Sequence, residues 1–294
     1  MLPTLLITQI FLSLYVQSLG IFIPLDVDPG SGTCSGWKQV ISSISGNPQT
    51  PFFSIVNPND GPGDHGSQPN TAFQQCVQSL RPRANAIVLG YISIGSKSSS
   101  NIQAEVDTYA GWDSPYRPTG ILFDGVSSGS SLFNQYENYT TYARRKGFSF
   151  IGLDPGEMPD PLYFSIADLV NTYESSYASF NASEDVFDSP SAPISKQSVW
   201  LTGAPNTGSY SAVISQIIKK GVAAAYISNL RDDEAGIPIQ WSLFVEDVSK
   251  ANEALDNSTT TETSTTMVNN LVWTLPKVDL LNFNILCTPF SAHN

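Results

Sequence analysis

The sequence is short of charge. Asp, Glu, Lys and Arg make up 14% of the 294 residues, against roughly 25% in an ordinary soluble protein. The exposed surface must therefore be built largely from Ser, Thr, Asn and Gln, a composition common outside the cell. Basic residues are scarcest: 14 Lys and Arg stand against 26 Asp and Glu, for a net charge of −12. A field of that sign repels nucleic acid and anionic membrane, so neither is expected as a partner. Histidine is almost missing. Only His65 lies outside the extreme terminus, so a Ser-His-Asp triad would depend on it, and none is expected. Asp60 and Asp64 beside His65 have metal-ligating chemistry, but next to Gly61-Pro-Gly63 they read as a polar loop, and no metal or other cofactor is expected.

Cysteine is sparse and odd in number. Cys34 and Cys76 both fall in the first part of the chain and are the preferred disulfide, which leaves Cys287 over. No long apolar run is present either. Leu5 to Val16 is long enough for the core of a signal peptide and too short to span a bilayer comfortably, so residues 1–18 read as a leader ending at Val16-Gln-Ser18. Its amino end carries no Lys or Arg, and a buried terminal helix or strand is the alternative. Three sequons, at Asn138, Asn181 and Asn257, point the same way as the leader, toward a secreted glycoprotein of the extracellular space or cell wall. No integral membrane span is expected in the mature chain, which reads as a monomer.

What the chain has is a rhythm of short apolar runs alternating with helical stretches. Strands are predicted near 21–25, 52–56, 87–92, 121–123, 149–153, 169–173, 199–201 and 223–227. Helices are predicted at 37–44, 72–80, 102–111, 132–146, 211–220 and 245–255. Residues 155–161 and 189–196 read as loops. Eight strand units predict a single-domain α/β (β/α)8 TIM barrel over residues 20–255. The alternative, a doubly wound open sheet, would call for G-x-G-x-x-G after the first strand; that strand instead ends Asp26-Val-Asp-Pro-Gly-Ser-Gly32. Gly90 to Ser98 nearly spells a phosphate loop, but its Lys comes one residue late. Residues 256–294 open on a Ser/Thr-rich stretch and read as a low-complexity linker and tail.

In a barrel, the side chains at the carboxyl ends of strands gather at one mouth. Alternation puts Ile21, Ile23 and Leu25 toward the helices, and Asp26 and Asp28 toward that mouth. Asp124 ends the fourth strand, Asp154 the fifth and Glu174 the sixth; Asn57 and Tyr91 end the second and third. A single strand-end Asp is more often a cap or turn former, and Asp28 before Pro29-Gly30 fits that role. Asp124, followed by Gly125 with no helix start at once, and Glu174 read as a carboxylate pair. Such a pair suits glycoside hydrolysis, in which one group protonates the leaving oxygen while the other attacks or activates water. Strands four and six lie roughly 9 Å apart at the backbone, which serves a retaining or an inverting course.

Several segments together resemble the spherulation-specific family 4. Asn57-Pro-Asn-Asp-Gly-Pro-Gly63 is similar to its N-P-x-S-G-P-G signature, and Gly90-Tyr91 to its G-Y motif. Tyr109-x-x-Trp112 with Gly120-Ile-Leu-Phe-Asp124 resembles Y-x-x-W…G-I-F-F-D-E. Asp154-Pro-Gly156 parallels N-P-G, and Ala167-Asp168…Tyr173-Glu174 parallels A-D…F-E. The resemblance implies a secreted glycoside hydrolase of family 135, an endo-α-1,4-N-acetylgalactosaminidase acting on galactosaminogalactan. It matches Asp124 to the family's catalytic Asp and Glu174 to its strand-six Glu; Asp124 is then expected as nucleophile or charge stabiliser and Glu174 as general acid/base, with Asp26, Asn57, Tyr91, Trp112, Asp154 and Tyr173 expected to contact sugar. Two departures stand out: the family's Glu after the catalytic Asp is Gly125 here, and its Asn of N-P-G is Asp154. The first raises an alternative, a catalytically inactive barrel that binds or organises wall glycan.

Overall fold

The computed structural model describes residues 18–270 apart from 31, 181–186, 188–190 and 232–233, with backbone alone for 258–270. The leader, Asn181, Cys287 and residues 271–294 lie outside the described residues. Eight parallel strands close in sequence order: β1 (Gly20–Leu25), β2 (Phe52–Val56), β3 (Ala86–Ser93), β4 (Gly120–Asp124), β5 (Phe150–Asp154), β6 (Leu169–Ser176), β7 (Gln197–Thr202) and β8 (Ala224–Ile227). The helices are α1 (Lys38–Gly46), α2 (Thr71–Leu80), α3 (Ser99–Ala110), α4 (Phe133–Arg145), α5 (Ser211–Lys220) and α6 (Trp241–Asn270). This is the predicted (β/α)8 barrel, and each strand differs from its expected span by a few residues at most. After β5 a 3-10 turn, Pro161–Ser165, occupies the place of a helix. Pro161 and its Asp160 cap start that turn, and Ile166 to Asp168 lead straight into β6.

Parallel strands covered on both sides need apolar residues on both faces. Outward, Ile21, Ile23 and Leu25 are fully buried beneath the helices, as alternation requires. Inward, Phe53 on β2 meets Phe150 on β5 across the barrel at 5.4 Å, and Phe22 on β1 meets Trp200 on β7 at 5.9 Å. The barrel is thus filled by rings below its mouth. Asn70 caps α2 by accepting from the Phe73 N–H, and Ser98 caps α3 by accepting from the Asn101 N–H.

Closure is held by α6, which begins four residues before the expected 245 and continues to Asn270. Trp241 brings it onto the barrel: its ring lies against Phe52 and its indole donates to Ser43 on α1. Buried Asn252 accepts from the Leu19 N–H at 2.8 Å and donates to the Leu19 carbonyl at 3.0 Å, fixing the chain just before β1. By contacts the chain divides after Asp256; the barrel lies in the first unit, and of the second the helical backbone of 257–270 is described. That helical backbone lies within the stretch expected as a low-complexity linker and tail. Among the described residues no helix is long and apolar enough to cross a membrane.

Candidate active site

Register fixes which side chains enter the mouth. In parallel ladders, paired residues share a face. Tyr91 pairs with Leu122 and Leu122 with Gly152, one layer below Ser93, Asp124 and Asp154, which pair in turn across β3, β4 and β5. Asp124 and Asp154 therefore stand side by side on neighbouring strands, roughly 4.8 Å apart at the backbone. Tyr91 reaches up from the layer below, and its hydroxyl donates to Asp124 Oδ2 at 2.6 Å. Enclosure, followed by the Asp124 carboxylate, raises the Tyr91 pKa well above that of a free phenol. The phenol stays a donor, and Asp124 receives a strong charge-assisted bond.

Glu174 arrives by a different route. Asn171 faces inward, since its amide donates to Asp154 Oδ1 at 2.9 Å. Strict alternation would then turn Glu174 outward. The β6–β7 register instead slips between Asn171 and Tyr173, leaving Thr172 as an extra residue. Thr172 and Tyr173 both point away from the mouth: Thr172 bonds Gln197 at 3.0 Å, and the Tyr173 ring packs on Phe180 and Phe187. Glu174, paired with inward-facing Trp200, returns to the mouth. The bulge re-aims this carboxylate, a recognised use of such irregularities beside sites.

Glycine makes room for Glu174. Gly156 has φ +68°, and a Cβ there would lie 3.2 Å from Glu174 Oε2. The Gly156 carbonyl accepts from the Glu174 N–H at 2.9 Å, and its own N–H donates to Asp154 Oδ1 at 3.1 Å. The Asp-Pro-Gly turn so ties Asp154 to Glu174. Enclosure, then the charges of Asp124 and Glu174, push the Asp154 pKa up to about 8; the bonds from Asn171 and Gly156 pull the other way and lose. Two like charges about 5 Å apart at an effective dielectric of about 20 repel by about 3 kcal/mol, enough to keep one proton in such a cluster.

On the opposite rim stands Asp26, whose pKa is raised by desolvation and by the charges of Asp124 and Asp60, against a bond from Asn57. Asn57 Oδ1 also accepts from the Gly61 N–H at 2.9 Å, which fixes the loop after β2. Lys97 then clamps that loop to α3, donating to the Asp60 carbonyl at 3.0 Å and pairing with Glu105 at 2.9 Å. Between Asp26 and β7–β8 lies a recess lined by Trp200, Thr202, Tyr226, Ser228 and Arg231 among others. The rings of Trp200 and Tyr226 sit 4.6 Å apart, and the enclosed Trp200 indole N–H has no acceptor among the described residues. Neither aromatic was singled out from the sequence; both lie at alternate positions of their strands, which is the signal that was available.

Several candidates fall elsewhere. Trp112 is fully buried behind α3, edge-on to Tyr109 at 4.8 Å, and cannot meet a sugar. Tyr173 is turned outward by the bulge and is likewise removed from the mouth. Asp28 accepts from the Gly30 N–H at 2.8 Å, the turn-forming role expected of it. Cys34 and Cys76 form a disulfide, which joins the loop after β1 to α2. Asn138 on α4 and Asn257 are exposed. One motif escaped the sequence reading: Gly125-Val-Ser127-Ser-Gly129 spells G-x-S-x-G directly after β4. A nucleophile elbow needs a strand-to-helix turn with its histidine. Here a 3-10 turn follows, and His65 is exposed on the loop after β2. Gly125 itself has φ +75°, and a Cβ would lie 3.4 Å from the Gly95 N–H. Among the described residues no cluster of metal-ligating side chains forms.

Residues 20–248 match the model of the spherulation-specific family 4. The crystal structure of Aspergillus clavatus Sph3 in complex with GalNAc is similar, with 24% identity, a TM-score of 0.68, and coverage of 79% of this chain and 98% of that one. The shared fold is thus the barrel. A chitinase from Chromobacterium violaceum ATCC 12472 is 12% identical over 80% of this chain and 99% of its own, with a TM-score of 0.48. No curated protein matches.

Proposed function

The chain belongs to the spherulation-specific family 4, and from that premise we propose that it is a glycoside hydrolase of a hexosamine-containing polysaccharide. The observation that carries the reading is the convergence of Asp124 and Glu174 on one mouth, the first held by Tyr91 and the second re-aimed by the β6 bulge. Asp124 acts as nucleophile or charge stabiliser. The short bond from Tyr91 orients it. Glu174 acts as general acid and base, protonating the leaving oxygen and then activating water. Trp200 offers an apolar face to a sugar ring, with buried Tyr226 packed edge-on against it, while Asp26 and Asn57 accept and donate to its hydroxyls.

In finer detail the reading is an endo-α-1,4-N-acetylgalactosaminidase working outside the cell or in a cell wall. Supporting the sugar is the GalNAc bound to the Sph3 that this chain resembles. Supporting the location are the disulfide, exposed Asn138 and Asn257, and the leader-like start. The test is to incubate the purified chain with galactosaminogalactan and count new reducing ends. Release supports the reading; measurable binding of the polysaccharide without any release defeats it.

That second outcome defines the rival, a barrel that binds or organises wall glycan without cleaving it. Gly125 favours it, because the acidic residue that the family pattern carries there is missing.

A further inference from the structure

Asp154 takes no part in the two-carboxylate scheme, yet it stands between both of its members. From β4 it is faced by Asp124, its register partner, and from β6 by Glu174; the neutral donors Asn171 and the Gly156 N–H complete its surroundings. No basic side chain is among the groups acting on it. Both donors fall on the same oxygen, Oδ1, at 2.9 and 3.1 Å. An Asn amide would accept both bonds through its own Oδ1 and present Nδ2 as a donor. A carboxyl that keeps a proton on Oδ2 presents the same pattern, an acceptor on one side and a donor on the other.

We propose that Asp154 is a positioning residue that works as a neutral, proton-bearing carboxyl, standing in for an Asn amide between Asp124 and Glu174. The inference rests on the glycosidase reading only for its effect on turnover. Enclosure first, and then the two flanking carboxylates, lift its pKa to about 8, so the proton is present at neutral pH and leaves above that midpoint. Ionised Asp154 loses its donor and places an added negative charge between Asp124 and Glu174. Activity is then lost on the alkaline side although the fold persists. The group that the sequence reading assigned to sugar contact acts instead on the two carboxylates.

Asp154→Asn is nearly isosteric and tests this directly. Two profiles are compared with wild type: reducing-end release from galactosaminogalactan against pH, and thermal stability against pH. The folded pKa is raised above the unfolded value near 4. The Asp154 contribution to stability is therefore full below about 4, falls as pH rises toward about 8, and is flat above. Asp154→Asn removes this slope, keeps at least about a third of neutral turnover, and abolishes the alkaline loss centred near pH 8. A variant with the wild-type slope and the wild-type alkaline limb overturns the proposal. So does a folded variant inactive at every pH, since a positioning donor is replaced by the amide. If neither protein cleaves the polysaccharide at any pH, the glycosidase reading fails while the stability profiles still decide the state of Asp154. An infrared band of a protonated carboxyl, lost above the midpoint in wild type and missing in the variant, gives the same decision without a substrate.

Discussion

The hydroxyl of Tyr91 on β3 donates to Oδ2 of Asp124 on β4 across 2.6 Å, from one layer deeper in the barrel. A bond to a charged acceptor contributes about 1.5–3 kcal/mol. Tyr91→Phe keeps the ring that fills this layer and removes the donor. The fold should survive, and kcat/KM on the polysaccharide should fall roughly 10- to 100-fold. Steady-state kinetics check it; an unchanged value would show that Asp124 needs no such partner.

Gly125 occupies a left-handed backbone at φ +75°. A side chain there costs about 1–2 kcal/mol. Gly125→Glu, which returns a carboxylate to the position, should lower the melting temperature by several degrees and bring no rise in turnover. A variant that melts like wild type and works faster would mean that the backbone accommodates the acid and that its loss limits the reaction.

Much of this architecture is legible in the sequence. The eight apolar runs became eight strands because each is enclosed on both faces, and strict alternation set Asp26, Asp124 and Asp154 inward. The same rule failed on β6. Counting by twos from the inward Asn171 reaches Tyr173, yet the extra Thr172 hands the mouth to Glu174. No local propensity marks a bulge of this kind; it goes with the Thr172–Gln197 bond, and the Gln197 amide in turn donates to the Phe187 carbonyl. Trp112 misled for another reason. It lies on the chain between α3 and β4, packed against Tyr109 beneath the helix and away from the strand ends. Trp200 and Tyr226 went unnoticed because an inward ring near a strand end looks like core until the recess around it is seen.

These two tryptophans separate experimentally. Trp112→Ala should cost about 3–5 kcal/mol of stability and leave KM unchanged in the molecules that fold. Trp200→Ala should instead raise KM for the polysaccharide several-fold, with kcat less affected. Chemical denaturation and kinetics on both variants check this. A raised KM in the first and none in the second would reverse the assignment of the recess.

The Cys34–Cys76 bridge closes a loop of 42 residues on the flank of the barrel. Replacing both cysteines by Ser should cost about 2–5 kcal/mol and leave turnover per folded molecule as it was. Reductant should destabilise wild type and have no effect on the double variant. Equal melting of the two proteins under oxidising conditions would contradict the bond.

The central claim is that Asp124 and Glu174 together cleave a glycosidic bond, and initial-rate release of reducing ends by Asp124→Asn and Glu174→Gln tests it most directly. Each substitution keeps the shape of its side chain and removes its acid–base or nucleophilic function. The account predicts that wild type releases reducing ends and that each variant, folded as judged by its melting temperature, is slower by roughly 100-fold or more. Wild-type rates in both variants would contradict it.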